Sequence, residues 1–99
     1  MNIKISTSQG GNKMELSRNK VFVASNDPAY IGIIMKPEPG IWEELMDTDL
    51  FYITFGGQEL EVKIGYRIEV GESSIFFVTS EQKAIGDLIT EIGNEKNSD

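Results

Sequence analysis

The chain has 99 residues, a length typical of one domain, and we expect residues 1–99 to form a single domain. It contains no Cys and no His, which excludes disulfides and thiolate metal sites and removes the commonest general base near neutral pH. The formal charge of −7 disfavours direct contact with nucleic acid or with an anionic membrane.

The chain shows no sign of membrane insertion or export. No apolar run approaches the ~18 residues that a membrane-spanning helix needs. The alternating start, Ile3-Lys4-Ile5, lacks the apolar stretch of a signal peptide. We therefore expect a cytoplasmic protein.

The first third of the chain predicts four short strands separated by polar turns. The apolar residues alternate or cluster over residues 3–5, 14–16, 21–24 and 30–35. The fourth run is apolar almost throughout, which is typical of a strand buried on both faces. Pro37 and Pro39 then end it, because proline cannot donate a ladder hydrogen bond.

Residues 41–49 predict one or two turns of helix. Ile41 and Leu45, and likewise Trp42 and Met46, are spaced four residues apart, as on one face of a helix. The acidic residues between them would then line the solvent side.

The strongest pattern in the chain is a strict alternation from Glu59 to Val70, which predicts a long strand. Gly56-Gly57 predicts a hairpin that sets Ile53 opposite Leu60, and a turn at Gly71-Glu72 sets residue 68 opposite 75 and 66 opposite 77. On this register the large apolar side chains share one face, and we expect that face to be the core. Gly65 marks the point where the sheet would curl.

The C-terminal region predicts an amphipathic helix over roughly residues 80–93. The apolar positions 84, 85, 88, 89 and 92 form one stripe. Thr79 or Ser80, with Gln82, resembles a capping box, and Gly93 is a typical residue just after a helix end. Residues 94–99 are polar, and we expect a frayed tail. The whole pattern predicts a β-rich α+β fold, with a curled antiparallel sheet or small barrel of about six strands and this C-terminal helix.

Charge is the main functional indication in the sequence. Seven acids and no basic residue lie between residues 38 and 61, here called the acidic segment, while elsewhere the acids are matched by nine Lys and Arg. A surface of one sign attracts partners of the opposite sign, and Trp and Tyr are frequent anchors of interfaces. The predicted partner-binding residues are Glu38, Trp42, Glu43, Glu44, Asp47, Asp49, Tyr52, Glu59 and Glu61.

The leading hypothesis is therefore a small non-enzymatic protein that binds a basic protein surface. A sharper version is an inhibitor that mimics nucleic acid, as phage anti-defence proteins do. The alternatives are a structural or assembly subunit that pairs through β edges into a homo-oligomer, a small-molecule binder, and an enzyme that uses Glu43 and Asp47 as paired carboxylates. Asp47-Thr48-Asp49 lacks the rest of a calcium loop. We expect no catalytic residue, no metal and no cofactor.

Overall fold

The computed structural model describes residues 3–37, 42–81 and 83–97, and in it seven antiparallel strands form one sheet that curls into a half-barrel. The strands are β1 (Ile3–Ser6), β2 (Met14–Leu16), β3 (Val21–Asn26), β4 (Ala29–Met35), β5 (Leu50–Phe55), β6 (Gln58–Val70) and β7 (Ser73–Thr79). The helices are a 3₁₀ helix (Arg18–Lys20), α1 (Trp42–Asp47) and α2 (Ala84–Asn97). The predicted fold class is confirmed.

Strand β6 is the centre of the sheet, whose order is β2-β1-β5-β6-β7-β4-β3. The first half of β6 pairs with β5 and the second half pairs with β7. Both predicted hairpin registers are confirmed: Ile53 lies opposite Leu60 across the Gly56-Gly57 turn, and residue 68 lies opposite 75. Gly56 and Gly57 both have positive φ, the conformation that a two-residue hairpin loop demands.

The predicted core face is wrong for the second half of β6. The pairing of β6 with β7 slips by one residue between Ile64 and Tyr66, so Gly65 is an inserted bulge residue. Because strand side chains alternate with a period of two, one inserted residue moves every later side chain to the opposite face. Tyr66 and Phe77 therefore lie on the outer face, and Tyr66 is 55% exposed.

The core lies on the inner face of the half-barrel, where α1 and α2 pack against it. Helix α1 contributes Leu45, and α2 contributes the predicted stripe through Ile85, Leu88 and Ile92. The core side chains of the strands are Ile3, Ile5, Leu16, Val21, Ile31, Ile33, Met35, Phe51, Ile53, Phe55, Leu60, Val62, Phe76 and Val78. Arg18 joins α2 to the sheet, because its guanidinium donates to the carbonyls of Ile92 and Val21.

The ends of α2 differ from the prediction. The Thr79 hydroxyl donates to the Ala29 carbonyl and the Ser80 hydroxyl to the Glu61 carbonyl, so both side chains bind the sheet. Gln82 lies outside the described residues. Gly93 lies inside the helix, which continues to Asn97, because a helical glycine costs only about 1 kcal/mol relative to alanine. In the described part of the chain, neither helix has the length and hydropathy needed to cross a membrane.

The contrast between Leu60 and Leu50 tests this placement of the core. Leu60 is fully buried, whereas Leu50 is 43% exposed. We expect Leu60→Ala to lower the free energy of unfolding by about 2–5 kcal/mol, because it leaves a cavity, and the same change at Leu50 to cost less than ~1 kcal/mol. Urea denaturation of both variants measures the difference. Equal losses at the two sites would contradict the assignment of the faces.

Candidate functional site

The bulge in β6 creates an open cleft on the outer face of the sheet. Tyr30 reaches across from β4 and lays its ring over Gly65, where a Cβ atom would lie 2.8 Å from Cε1 of the ring. The backbone at Gly65 has an ordinary φ, so glycine is needed there for space and not for conformation. Any larger residue at this position would displace the ring of Tyr30.

We call this feature the bulge cleft; it has a volume of about 670 Å³. Its floor is the β6 backbone around the bulge, and its sides come from β4, from the start of β5 and from the segment that follows β7. The lining residues are Tyr30, Leu50, Glu61, Val62, Lys63, Ile64, Gly65, Thr79, Ser80 and Glu81. The volume falls within the ~300–1,000 Å³ of known ligand pockets.

The cleft is aromatic and aliphatic on its sides and carries few charges. Among the described residues that line it, Lys63 is the only cation and Glu61 and Glu81 are the two anions, so their charges sum to −1. The Glu61 carbonyl points to the β7 side of the strand, where it accepts the Ser80 hydroxyl at 2.8 Å. The site thus combines flat apolar walls with backbone polar groups, an arrangement that suits a planar ligand with a polar edge.

The aromatic wall continues beyond the cleft. The rings of Tyr30 and Tyr66 lie 6.3 Å apart, and Tyr66 stacks on Phe77 at 4.5 Å with an interplanar angle of 17°. Phe22 meets Phe77 edge-on at 6.2 Å. These contacts hold Tyr30 at one end of a connected row of rings and restrict its movement.

The structure places the predicted partner-binding residues on two sides of the sheet. Trp42 is half-buried and packs edge-on against Phe76, on the inner side where α1 lies. The other α1 residues of this set, and the one just after it, are exposed: Glu43, Glu44, Asp47 and Asp49. Glu38 lies outside the described residues.

The remaining predicted residues lie on the outer face. Tyr52 is half-buried and stands in one row between Ser6 and Glu61. Glu59 accepts the backbone N–H of Gly10 at 3.3 Å, from the loop that follows β1. The acidic segment therefore does not form one surface, and of the predicted set only Glu61 lines the bulge cleft. The role of these residues as partner contacts stays a prediction.

No metal site emerges from the residues that the structure describes. They contain no group of three or more acidic side chains placed to hold a metal ion. In the Asp47-Thr48-Asp49 segment, the Thr48 side chain hydrogen-bonds the backbone of Leu50, which makes the segment a turn between α1 and β5. Glu44 accepts the Thr7 hydroxyl, so part of the acidic helix face is engaged in structure.

Most residues of the bulge cleft could not be found from the sequence. Tyr30, Leu50 and Thr79 come from three separate strands, and they form no motif. Gly65 was the one available signal, since a glycine inside a strand often marks a bulge or a close approach of another group. The sequence gives no means of identifying Tyr30 as that group.

The comparisons with known proteins connect this fold to flavin reductases. No family model and no curated protein matches the sequence. Two solved structures match over 82% of this chain and 76% of their own: the flavin reductase PheA2 in its native state, and the styrene monooxygenase flavin reductase SMOB from Pseudomonas putida S12. Their TM-scores are 0.62 and 0.60, at 9% and 13% sequence identity. The chain therefore has the fold of these reductases.

This finding corrects the functional predictions. The predictions of a non-enzymatic inhibitor, of nucleic-acid mimicry in a phage anti-defence role and of an assembly subunit are wrong, and so is the expectation that the chain is no enzyme. The errors have a physical origin. Net charge bears on solubility and association but not on fold, and the absence of His and Cys excludes only chemistry that needs those side chains.

The contact between Gly65 and Tyr30 gives a test of the cleft. We expect Gly65→Ala to lower the free energy of unfolding by about 1–3 kcal/mol, because the new methyl group overlaps the Tyr30 ring. In a Tyr30→Ala background the same change should cost almost nothing, and urea denaturation of the four proteins gives the coupling.

Gly86→Ala is the matched control for this double-mutant comparison. Gly86 is helical, and a Cβ atom there would meet nothing within 4 Å. Gly86→Ala should leave the stability unchanged or raise it by up to ~1 kcal/mol. If the cost of Gly65→Ala is the same with and without the Tyr30 ring, the proposed packing is refuted.

Proposed function

We propose that this chain is a flavin-binding protein of the flavin-reductase type, and that the bulge cleft holds the isoalloxazine ring. The observation that carries the proposal is the cleft itself, in which the Tyr30 ring and Leu50 wall a space of about 670 Å³ above the β6 bulge. The fold shared with two flavin reductases supports it. In line with this role, we keep the predicted cytoplasmic location and the single domain as part of the proposal.

The cleft suits the ring of a flavin. A planar heteroaromatic ring stacks favourably against an aromatic side chain, and Tyr30 is held for such contact by the row of rings behind it. Leu50 adds apolar surface. The ring also has a polar edge of carbonyl and N–H groups, and the Glu61 carbonyl, which accepts the Ser80 hydroxyl, has a second lone pair that can accept an N–H of that edge.

The cleft suits a flavin phosphate much less well. Of the described residues that line the cleft, Lys63 alone is a cation that can meet the phosphate, and Glu61 and Glu81 line the same space. An anionic tail would therefore gain one favourable contact and two unfavourable ones, each screened by solvent. This balance favours a flavin that binds weakly and exchanges, as a substrate does, over one that is permanently held.

The proposed role is compatible with the lack of His and Cys. A bound flavin supplies the capacity to accept a hydride, for which a reduced nicotinamide nucleotide is the usual donor. The chain's own residues then have to bind the ring, orient it and limit its contact with water. Tyr30, Leu50 and the β6 backbone can do this without a general base.

Flavin titrations test the proposal. We expect the fluorescence of riboflavin and of FMN to be quenched on binding. Tyr30→Ala should weaken the affinity for both flavins by about tenfold or more, because it removes the stacking surface. Lys63→Gln should weaken FMN several-fold but leave riboflavin nearly unchanged, and Glu61→Gln should strengthen FMN. Loss of the visible absorbance of oxidised flavin on adding a reduced nicotinamide nucleotide would report the reductase activity.

Lys13→Gln and Glu15→Gln are the matched controls, because both residues are exposed and lie outside the cleft. They remove the same charges from the protein without changing the site. The proposal fails if neither flavin binds at millimolar concentration, or if the control variants shift FMN affinity as much as Lys63→Gln and Glu61→Gln do.

A further inference from the structure

A second cavity lies between helix α1 and the hairpin that joins β6 to β7. We call it the hairpin cavity; it has a volume of about 500 Å³, within the ~300–1,000 Å³ of known ligand pockets. The described residues that line it are Lys36, Pro37, Trp42, Glu69, Gly71, Glu72, Ser73 and Ser74. None of them lines the bulge cleft, so the two cavities are separate sites.

Ser74 gives the hairpin cavity a buried polar group. It lies on the inner face of β7, because Phe76 and Val78, two and four residues later, belong to the core. Ser74 is only 5% exposed, and within the part of the chain that the structure describes its hydroxyl has no hydrogen-bond partner. A buried hydroxyl without a partner costs free energy, so a ligand that hydrogen-bonds this group is favoured.

Trp42 gives the cavity an aromatic wall. The indole is half-buried and meets the ring of Phe76 edge-on at 6.0 Å, with an interplanar angle of 87°. This contact holds the indole in place beside the cavity. Among the aromatic side chains, tryptophan attracts cations most strongly to the face of its ring.

The charges around the cavity favour a cation. Glu69 and Glu72 carry two negative charges and Lys36 carries one positive charge, and all three residues are exposed. Neither carboxylate forms an ion pair with another described residue. Arg67 lies on the same side of β6 as Glu69, but its guanidinium lies over the Phe76 ring and does not line the cavity. The net charge of −7 on the whole chain also attracts cations.

We propose that the hairpin cavity binds an aliphatic polyamine. A protonated amine can donate N–H groups to the Ser74 hydroxyl oxygen and to a carboxylate, while Trp42 contacts its charge and its methylene chain. A second protonated nitrogen meets the second of the two carboxylates, Glu69 and Glu72. A metal ion would gain no ligand from the indole, and an anion would meet two carboxylates for one lysine. The inference does not depend on flavin binding.

Titration of the full chain with spermidine at low salt, followed by the fluorescence of Trp42, tests the inference. The chain contains no other tryptophan, so the signal reports on this cavity alone. We expect a saturable change with a dissociation constant of the order of a millimolar, because the charged contacts are exposed to solvent. Sodium chloride at the same ionic strength should not reproduce the change.

Variants of the lining residues separate the contributions to binding. Glu69→Gln and Glu72→Gln should each weaken the affinity by about two- to fivefold, and Lys36→Gln should strengthen it by a similar factor. Trp42→Leu, measured by calorimetry, should weaken it by at least about threefold. Circular dichroism shows whether Trp42→Leu remains folded. The three charge variants change exposed residues, so they test the site even if Trp42→Leu unfolds.

Glu15→Gln is the matched control, because Glu15 is exposed and does not line the hairpin cavity. It removes the same charge and should leave the affinity for spermidine unchanged. Acetate and glucose, an anion and a neutral polar molecule, should leave the fluorescence of Trp42 unchanged. A fluorescence signal that does not saturate by ~20 mM spermidine, an equal loss of affinity with Glu15→Gln, or a response to acetate or glucose as large as that to spermidine would each overturn the inference.

Discussion

The insertion of Gly65 into strand β6 is the constraint on which the architecture of this protein depends. Before the bulge, Leu60 and Val62 face the core, and after it Arg67 and Glu69 occupy that side of the strand. Even-numbered residues of β6 therefore face the core where it pairs with β5, and odd-numbered residues face that side after the bulge, where it pairs with β7. A bulge also increases the local twist, which helps one sheet of seven strands to close into a half-barrel.

Arg67 shows how the inner side adapts to the change in parity. After the bulge, the inner positions of β6 are charged, and the core there has to be completed by other elements. Helix α1 does this: Trp42 packs on Phe76, and Met46 places its sulfur 2.9 Å from the Arg67 guanidinium, which lies over the Phe76 ring. The cation–π and sulfur contacts let a charged residue lie against aromatic surface without entering the core.

On the outer face, the bulge has the opposite effect, because it places apolar side chains of β6 in solvent. The row that begins with Tyr66 is exposed, and the displaced strand leaves a space beside Lys63 and Gly65. Tyr30 borders both features, since its ring lies over Gly65 and next to Tyr66. One inserted residue therefore accounts for both the cleft and the exposed apolar row beside it.

The sequence predicts the pairing of this sheet better than its faces. The registers of both hairpins follow from the turn residues and from the matching of large side chains, which are local properties. The face of Tyr66 cannot be obtained in the same way, because an alternating pattern continues unchanged through a bulge. Two runs in the sequence indicate two apolar faces: residues 30–35 in β4, and residues 75–78 in β7, which are Ile-Phe-Phe-Val and therefore present large side chains to both sides.

The sequence suggests that the acidic segment forms one binding surface, but the fold separates its residues. The acids of α1 and those of β6 lie on opposite sides of the sheet, so their sum describes no single surface. Binding depends on the local balance of charge. Among the described residues, one cation and two carboxylates line the cleft, and the strand positions of the face beside it carry no charged side chain. On the proposed function, the ring of the flavin would therefore contribute more to binding than its phosphate, because stacking on Tyr30 does not depend on the sign of the surrounding field.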